Sequence, residues 1–239
     1  EADAKMHIAK DKNRDQSYFL FATTQKQLDF LRFTLAEIGK DDVRKIALDF
    51  GLNVADKPDS QDICFVPDGK YQDIVVRLRP QAGKAGEIVH IDGRIIGKHQ
   101  GIINYTVGQR RGLGIAVGDP LFVVALDAEN ARVIVGPKEA LKVKSLTLKE
   151  VNWLGEKLPN EDELEGRKVL ARVRSTRPPI PATLSTAQGW RIIFDKAEEG
   201  VAPGQACVLY DPESAMGDLG ERVLGGGFIS STQKSFETQ

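Results

Sequence analysis

One of only two cysteines in these 239 residues stands in Lys57-Pro58-Asp59-Ser60-Gln61-Asp62-Ile63-Cys64-Phe65-Val66, just past a run of turn-forming polar residues. Structural cysteines pack as small hydrophobes inside apolar runs, whereas Asp, Ser and Gln at this spacing favour turns and local backbone hydrogen bonds. Only Phe65 and Val66 have the character to enter a core. The pattern predicts a Cys64 thiol held at the rim of a packed surface, where exposure and local charge govern its reactivity. A thiolate so placed can attack as a nucleophile or exchange sulfur–sulfur bonds. Asp59 and Asp62 disfavour the anion, so Lys57 or a residue from elsewhere must offset them. The second cysteine, Cys207, lies in the apolar strand pattern Gly204-Gln205-Ala206-Cys207-Val208-Leu209-Tyr210 and is expected in a core. His7, His90 and His99 have no metal-ligand spacing, and none is placed as the base of a cysteine hydrolase. No metal site is expected.

The elements that must position this thiol change character along the chain. Leu28, Leu31, Leu35 and Ile38 recur at helical spacing, with Thr24 as N-cap and Gly39 as stop. Asp41 or Asp42 then caps a second helix with Val43, Ile46, Ala47 and Phe50 on its apolar stripe, ended by Gly51. Pro58 forbids further helix before the cysteine loop, and Tyr71 to Leu78 forms another short helix. From about residue 80 the reading is β. Asp92-Gly93 is a tight hairpin turn between Ile88–Ile91 and Arg94–Ile96, and a second hairpin joins Leu121–Leu126 to Arg132–Val135. Between them, Gly108 to Gly118 carries four glycines and two arginines, suited either to close approach by RNA or a neighbouring domain, or to a glycine-bent barrel corner. Strands over about 167–175, 180–186, 190–194, 206–210 and 223–231 have the spacing of a small barrel. Leu154 to Gly166 is a loop.

Three separated motifs carry a family resemblance. Asp15-Gln16-Ser17-Tyr18-Phe19-Leu20, the Cys64 segment and Thr106-Val107-Gly108-Gln109-Arg110-Arg111-Gly112-Leu113-Gly114-Ile115 resemble the tRNA-specific 2-thiouridylases, in that family's order. The likeness runs from about residue 8 to Leu224-Gly225-Gly226-Gly227-Phe228-Ile229. Such enzymes place sulfur at C2 of a wobble uridine, which requires the C2 oxygen to become a leaving group and sulfur to arrive as a nucleophile. The resemblance implies that ATP adenylates the oxygen and that Cys64 carries the persulfide. Loading falls to a sulfur donor protein, either a cysteine desulfurase or a sulfur relay protein. It also implies tRNA contacts at Arg14, Asp15 and Gln16; the Gln16 amide suits a base edge and Arg14 a phosphate. Asp15 can equally cap the helix beginning at Ser17. Arg174 and Ser175 align with a family Arg-Tyr pair, Ser175 lacking the ring and so the stacking, and Gln205 matches a further tRNA contact. The sequence has neither a Ser-Gly-Gly-Val-Asp-Ser-type phosphate loop nor an upstream second cysteine. Both belong to an N-terminal nucleotide-binding domain. The expectation is therefore the C-terminal portion of such an enzyme, with ATP bound outside these residues and no turnover alone.

The implied fold is α+β. Residues 1–76 would be the helical remnant of an α/β PP-loop domain, 77–143 a small β-rich adaptor domain, and 144–239 a tRNA-binding β-barrel. A formal net charge of −1 excludes a polycation that coats nucleic acid, so RNA binding rests on local clusters. These are Lys10 to Arg14, Arg110-Arg111, Lys142 with Lys144, and Arg172, Arg174 and Arg177, set against the ordinary reading of alternating strand charges as a solvated face. No run approaches the roughly 20 apolar residues of a bilayer span, and Glu1-Ala2-Asp3-Ala4-Lys5 is no signal peptide. A cytoplasmic protein with no membrane partner is expected. The competing reading is an RNA-binding or adaptor module in which Cys64 is incidental.

Overall fold

The computed structural model describes residues 3–55, 57, 76–115, 118–155, 161–214 and 219–235. Cys64 with its loop, and residues 71–75 of the helix expected before residue 78, lie outside them. In chain order, helices α1 (Ser17–Leu20), α2 (Gln25–Phe30) and α3 (Lys40–Asp49) precede strands β1 (Gly86–His90), β2 (Ile95–His99), β3 (Phe122–Asp127), β4 (Arg132–Gly136) and β5 (Lys142–Trp153). The one-turn helix α4 (Glu161–Leu164) leads into β6 (Lys168–Arg172), β7 (Ile180–Ser185), β8 (Arg191–Glu199), β9 (Ala206–Tyr210) and β10 (Val223–Lys234). The α+β expectation holds, and no described helix is long and apolar enough to cross a membrane.

Two compact units divide the chain. One comprises Glu1–Pro58, Lys144–Lys196 and Pro203–Gln233; the other comprises Asp59–Val143, Ala197–Ala202 and Lys234–Gln239. The second unit holds a four-stranded sheet in the order β2-β1-β4-β3, with β1 and β4 parallel and the remaining pairs antiparallel. Asp92-Gly93 makes the expected hairpin turn, Gly93 at a φ of +91° that suits glycine. Ile88, Val123, Val133 and Val135 are fully buried and pack with Ile102 and Leu113, so part of the glycine-rich loop closes this core.

The first unit is organised around a closed six-stranded barrel in the order β10-β5-β8-β7-β6-β9. Alternation fixes its interior: Val169 and Ala171, Ala182 and Leu184, and Ile192 and Phe194 are all buried. Strand β9 departs from alternation because both of its faces are covered. Val208 and Tyr210 meet Met6, Tyr18, Phe21 and Leu28 of the N-terminal segment, while Cys207 and Leu209, of opposite parity, face the other way and are fully buried. The N-terminal segment also pairs with the start of β10, Ile8 N–H donating to Glu221 O (3.0 Å) and Val223 N–H to Met6 O (2.8 Å). Asn152 fastens it further, its amide donating to the carbonyls of Phe21 (2.7 Å) and Thr23 (2.9 Å).

Several elements differ from expectation. Helix α3 starts at Lys40 with Gly39 at its N-cap, so Asp41 and Asp42 lie within its first turn and do not cap it, and the stretch expected as a loop holds the one-turn α4. The helix opened by Thr24 ends at Phe30 rather than Gly39. Its start is a complete capping box between Thr24 and Gln27. At its end Leu31 turns extended, and Arg32 Nη1 donates to the carbonyls of Asp29 (2.8 Å) and Leu31 (2.7 Å). A side-chain cation thereby satisfies carbonyls that another turn would have bonded. Strand β5, twelve residues long, was not among the strands expected; its burial alternates only over Lys142 to Ser145 before Leu146 breaks the period. Helix α3 forms where its periodicity placed it, but none of its residues is buried and Ile46 and Leu48 are exposed.

One carboxylate gathers the donors at the end of β7. Glu165 Oε2 accepts from the amides of Thr186 (2.5 Å) and Ala187 (3.0 Å) and from the hydroxyls of Ser185 and Thr186 (both 3.2 Å). The Thr186 amide foremost, then that of Ala187 and the Ser185 hydroxyl, holds this carboxyl below its ordinary range. A depressed folded-state value means stability present above the unfolded carboxyl range, near pH 4.3, and lost as pH falls through the folded value. Glu165→Gln should therefore be less stable than the parent at neutral pH. The gap in urea midpoint should close on acidification below about pH 4; a gap independent of pH would exclude this role.

Candidate nucleic-acid interface

The Arg14–Gln16 element is shaped by the aspartate at its centre. Asp15 Oδ1 accepts the amides of Ser17 (3.1 Å) and Ala9 (3.2 Å), fixing the turn into α1. Its other oxygen accepts the Ser17 hydroxyl (2.8 Å) and Arg172 Nη1 (2.9 Å). The Asp15 side chain is only 4% exposed and that of Arg172 12%, so this is a buried, charge-assisted pair. Because Ser17 spends its proton on Asp15, its oxygen accepts from the Tyr210 hydroxyl at 3.1 Å, and Tyr210 in turn accepts from Arg172. The four side chains close a ring of hydrogen bonds. Burial raises the pKa of the Tyr210 phenol, keeping it a neutral donor.

The remaining guanidinium protons of Arg172 reach the next candidate segment. Nη2 donates to Ser175 O and Nε to Arg174 O (3.4 Å), holding the loop that follows β6. The guanidinium also lies over the Tyr18 ring, 5.7 Å from its centroid. Tyr18 carries the connection onward, its hydroxyl donating to Ala206 O (2.9 Å) and Val173 O (3.3 Å). Burial raises its pKa too. Ala206 follows Gln205, whose carbonyl accepts Ile229 N–H (2.8 Å) while its side chain is exposed.

All six residues of the sequence-derived RNA set thus lie on three segments tied to one buried cluster. Arg14 and Gln16 are exposed, Arg174 and Ser175 are half-buried, Gln205 is exposed, and the Asp15 carboxylate faces inward onto Arg172. Beside Arg14 and Gln16 opens a cleft of about 1170 Å³, bordered by the cations Lys10, Lys12, Arg32 and Lys40 and by the anions Glu37 and Glu221. Cys64 lies outside the described residues. Cys207 is fully buried, and desolvation pushes its thiol up to about 12, so it is a core residue as its strand pattern predicted. Among the described residues no group of three or more His, Cys, Asp or Glu side chains could hold a metal ion. Sequence reasoning missed Tyr18 as a connector and saw Arg172 only as one member of a basic stripe. The alternation of β6 puts Arg172 on the face opposite Val169 and Ala171, with exposed Lys168, so neither its burial nor its partner was signalled locally.

Comparison with known proteins accounts for nearly the whole chain. Residues 1–68 match the family model of the tRNA methyl transferase HUP domain, 73–137 that of the tRNA methyl transferase PRC-barrel domain, and 143–229 that of the aminomethyltransferase β-barrel domain. The tRNA-specific 2-thiouridylase MnmA of Caulobacter vibrioides is 58% identical over 98% of the chain, that of Maricaulis maris 58% over 96%, and that of Hyphomonas neptunium 59% over 95%. The chain spans 60%, 55% and 56% of their respective lengths. With three domain models in series and this identity from end to end, the chain belongs to the tRNA-specific 2-thiouridylase family.

Proposed function

We propose that this chain supplies the persulfide-bearing cysteine and much of the tRNA-docking surface for ATP-dependent transfer of sulfur to C2 of a wobble uridine. Cys64 accepts sulfur from a donor protein, and Arg14, Gln16, Arg174, Ser175 and Gln205 meet the tRNA. The observation that carries this reading is the convergence of segments 14–16, 174–175 and 205–206, far apart in sequence, on one buried cluster. Exposed or half-exposed amides and guanidinium groups on a rigid base suit phosphate and base-edge contacts.

The glycine run of the barrel unit does not fit a nucleotide triphosphate. A phosphate cradle needs glycine amides open to the ligand. The glycine run of this unit, Gly225-Gly226-Gly227, is instead woven into β10. A Cβ there would meet Asn152 O at 2.1 Å, Cys207 O at 2.5 Å and Lys149 O at 2.8 Å. Those glycines serve strand packing, and no step of the reaction is assigned to them. In this reading the exposed apolar residues Phe30, Phe33, Leu35, Ile46 and Phe50 form part of the surface on which a nucleotide-binding layer packs.

The test is tRNA binding as a function of salt. Affinity should fall log-linearly with salt concentration, and Arg174→Ala should weaken binding and lower the slope by about one. Binding with no salt dependence, or a slope untouched by Arg174→Ala, would remove this loop from the interface.

A further inference from the structure

We infer that Arg172 is the positioning residue of the RNA surface: it touches no RNA itself but sets the mutual geometry of the three segments that do. This rests on the tRNA-docking reading above and adds to it the device that makes three distant segments one site. The guanidinium has five donors in a rigid planar fork, and four bonds are made within the protein: Nη1 to Asp15, Nη2 to Ser175 O, Nε to Arg174 O, with a further bond to the Tyr210 hydroxyl. Its face is covered by Tyr18, whose hydroxyl fixes Ala206 beside Gln205. One side chain thus joins, directly or through one neighbour, every segment carrying a candidate contact. At 12% exposure it has little surface left to offer a phosphate.

Lysine makes the inference testable, because it keeps the charge but replaces the fork with a single point of donation. In the full chain, Arg172→Lys should remain folded by near-ultraviolet circular dichroism yet bind tRNA roughly tenfold or more weakly. The loss should be coupled to Arg14 and Arg174. Once the segments have drifted, adding Arg14→Ala or Arg174→Ala to Arg172→Lys should cost much less than either costs in the parent. A purely stabilising role would instead leave affinity unchanged well below the melting temperature. If Arg172 were itself a phosphate contact, lysine would largely rescue binding and the double-variant losses would add; that result overturns the inference. Tyr18→Phe keeps the ring but deletes the hydroxyl that fixes Ala206, and serves as the second variant should Arg172→Lys not fold. It should lower affinity and make Gln205→Ala nearly silent, and unaltered affinity would likewise refute the positioning scheme. Failure of the parent chain to bind tRNA at any salt concentration refutes the docking reading itself, a different outcome from parent binding that the Arg172 and Tyr18 variants leave intact.

Discussion

Incubated with a cysteine desulfurase and free cysteine, the parent chain should gain about 32 Da, one sulfur atom as a persulfide. The gain should vanish in Cys64→Ala and persist in Cys207→Ala. The asymmetry follows from what each thiol can do. Cys207 is fully buried in β9, paired in register with Gly227 of β10, so an incoming sulfur donor has no approach without opening the barrel. Its thiol value of about 12 leaves about one thiolate in ten thousand at pH 8, and the thiolate is the form that exchanges sulfur. Cys64 stands two residues past the polar, turn-forming run Asp59-Ser60-Gln61-Asp62. The same contrast should appear with iodoacetamide under native conditions, with one alkylation at Cys64 and a second only after denaturation. An adduct that survives Cys64→Ala would exclude the sulfur-carrying role. No adduct on the parent chain would favour an RNA-binding module without sulfur chemistry.

What could be read in advance was what depends on neighbours in sequence. Five of the six barrel strands were visible because their apolar patterns are local, β5 being the exception, and the Asp92-Gly93 hairpin because those two residue types tolerate the φ values its turn requires. Cys207 was visible as core because it lies in the unbroken apolar run Ala206 to Tyr210. The end of α2 was not, because the apolar spacing of Leu31, Leu35 and Ile38 continues past it while the stop comes from the Arg32 side chain folding back on two carbonyls. The exposed apolar stripe of α3 shows the reverse failure, a periodicity that formed its helix without a core to receive it. The residues of the candidate interface were named through family resemblance alone, and the buried contacts beneath them were not legible. Arg172 and Asp15 are 157 positions apart, and nothing in either local sequence announces the pairing. Asp15 illustrates the consequence. As a residue type beside Arg14 and Gln16 it reads as one more polar contact, whereas the fold uses its carboxylate to anchor that element.

That anchor makes Asp15 a sensitive position of the unit. Asp15→Ala should lower stability by about 3–5 kcal/mol, the usual cost of removing one partner from a buried ion pair, and for a chain of this size a Tm drop of roughly 6–20 °C. The cost lies mainly in the orphaned Arg172 charge and in the Ala9 and Ser17 donors left unmet. Asp15→Asn keeps an accepting oxygen and should cost less. The paired change Asp15→Leu with Arg172→Met separates stability from geometry. Replacing both charges by apolar groups of similar size is often close to neutral, so most of the stability lost in Asp15→Ala should return. Affinity for tRNA should not return with it, because neither leucine nor methionine can hold Ser175 and Arg174 by their carbonyls. Equal recovery of stability and binding would mean that hydrophobic packing alone orders the three segments, and that the ion pair has no part in shaping the RNA surface.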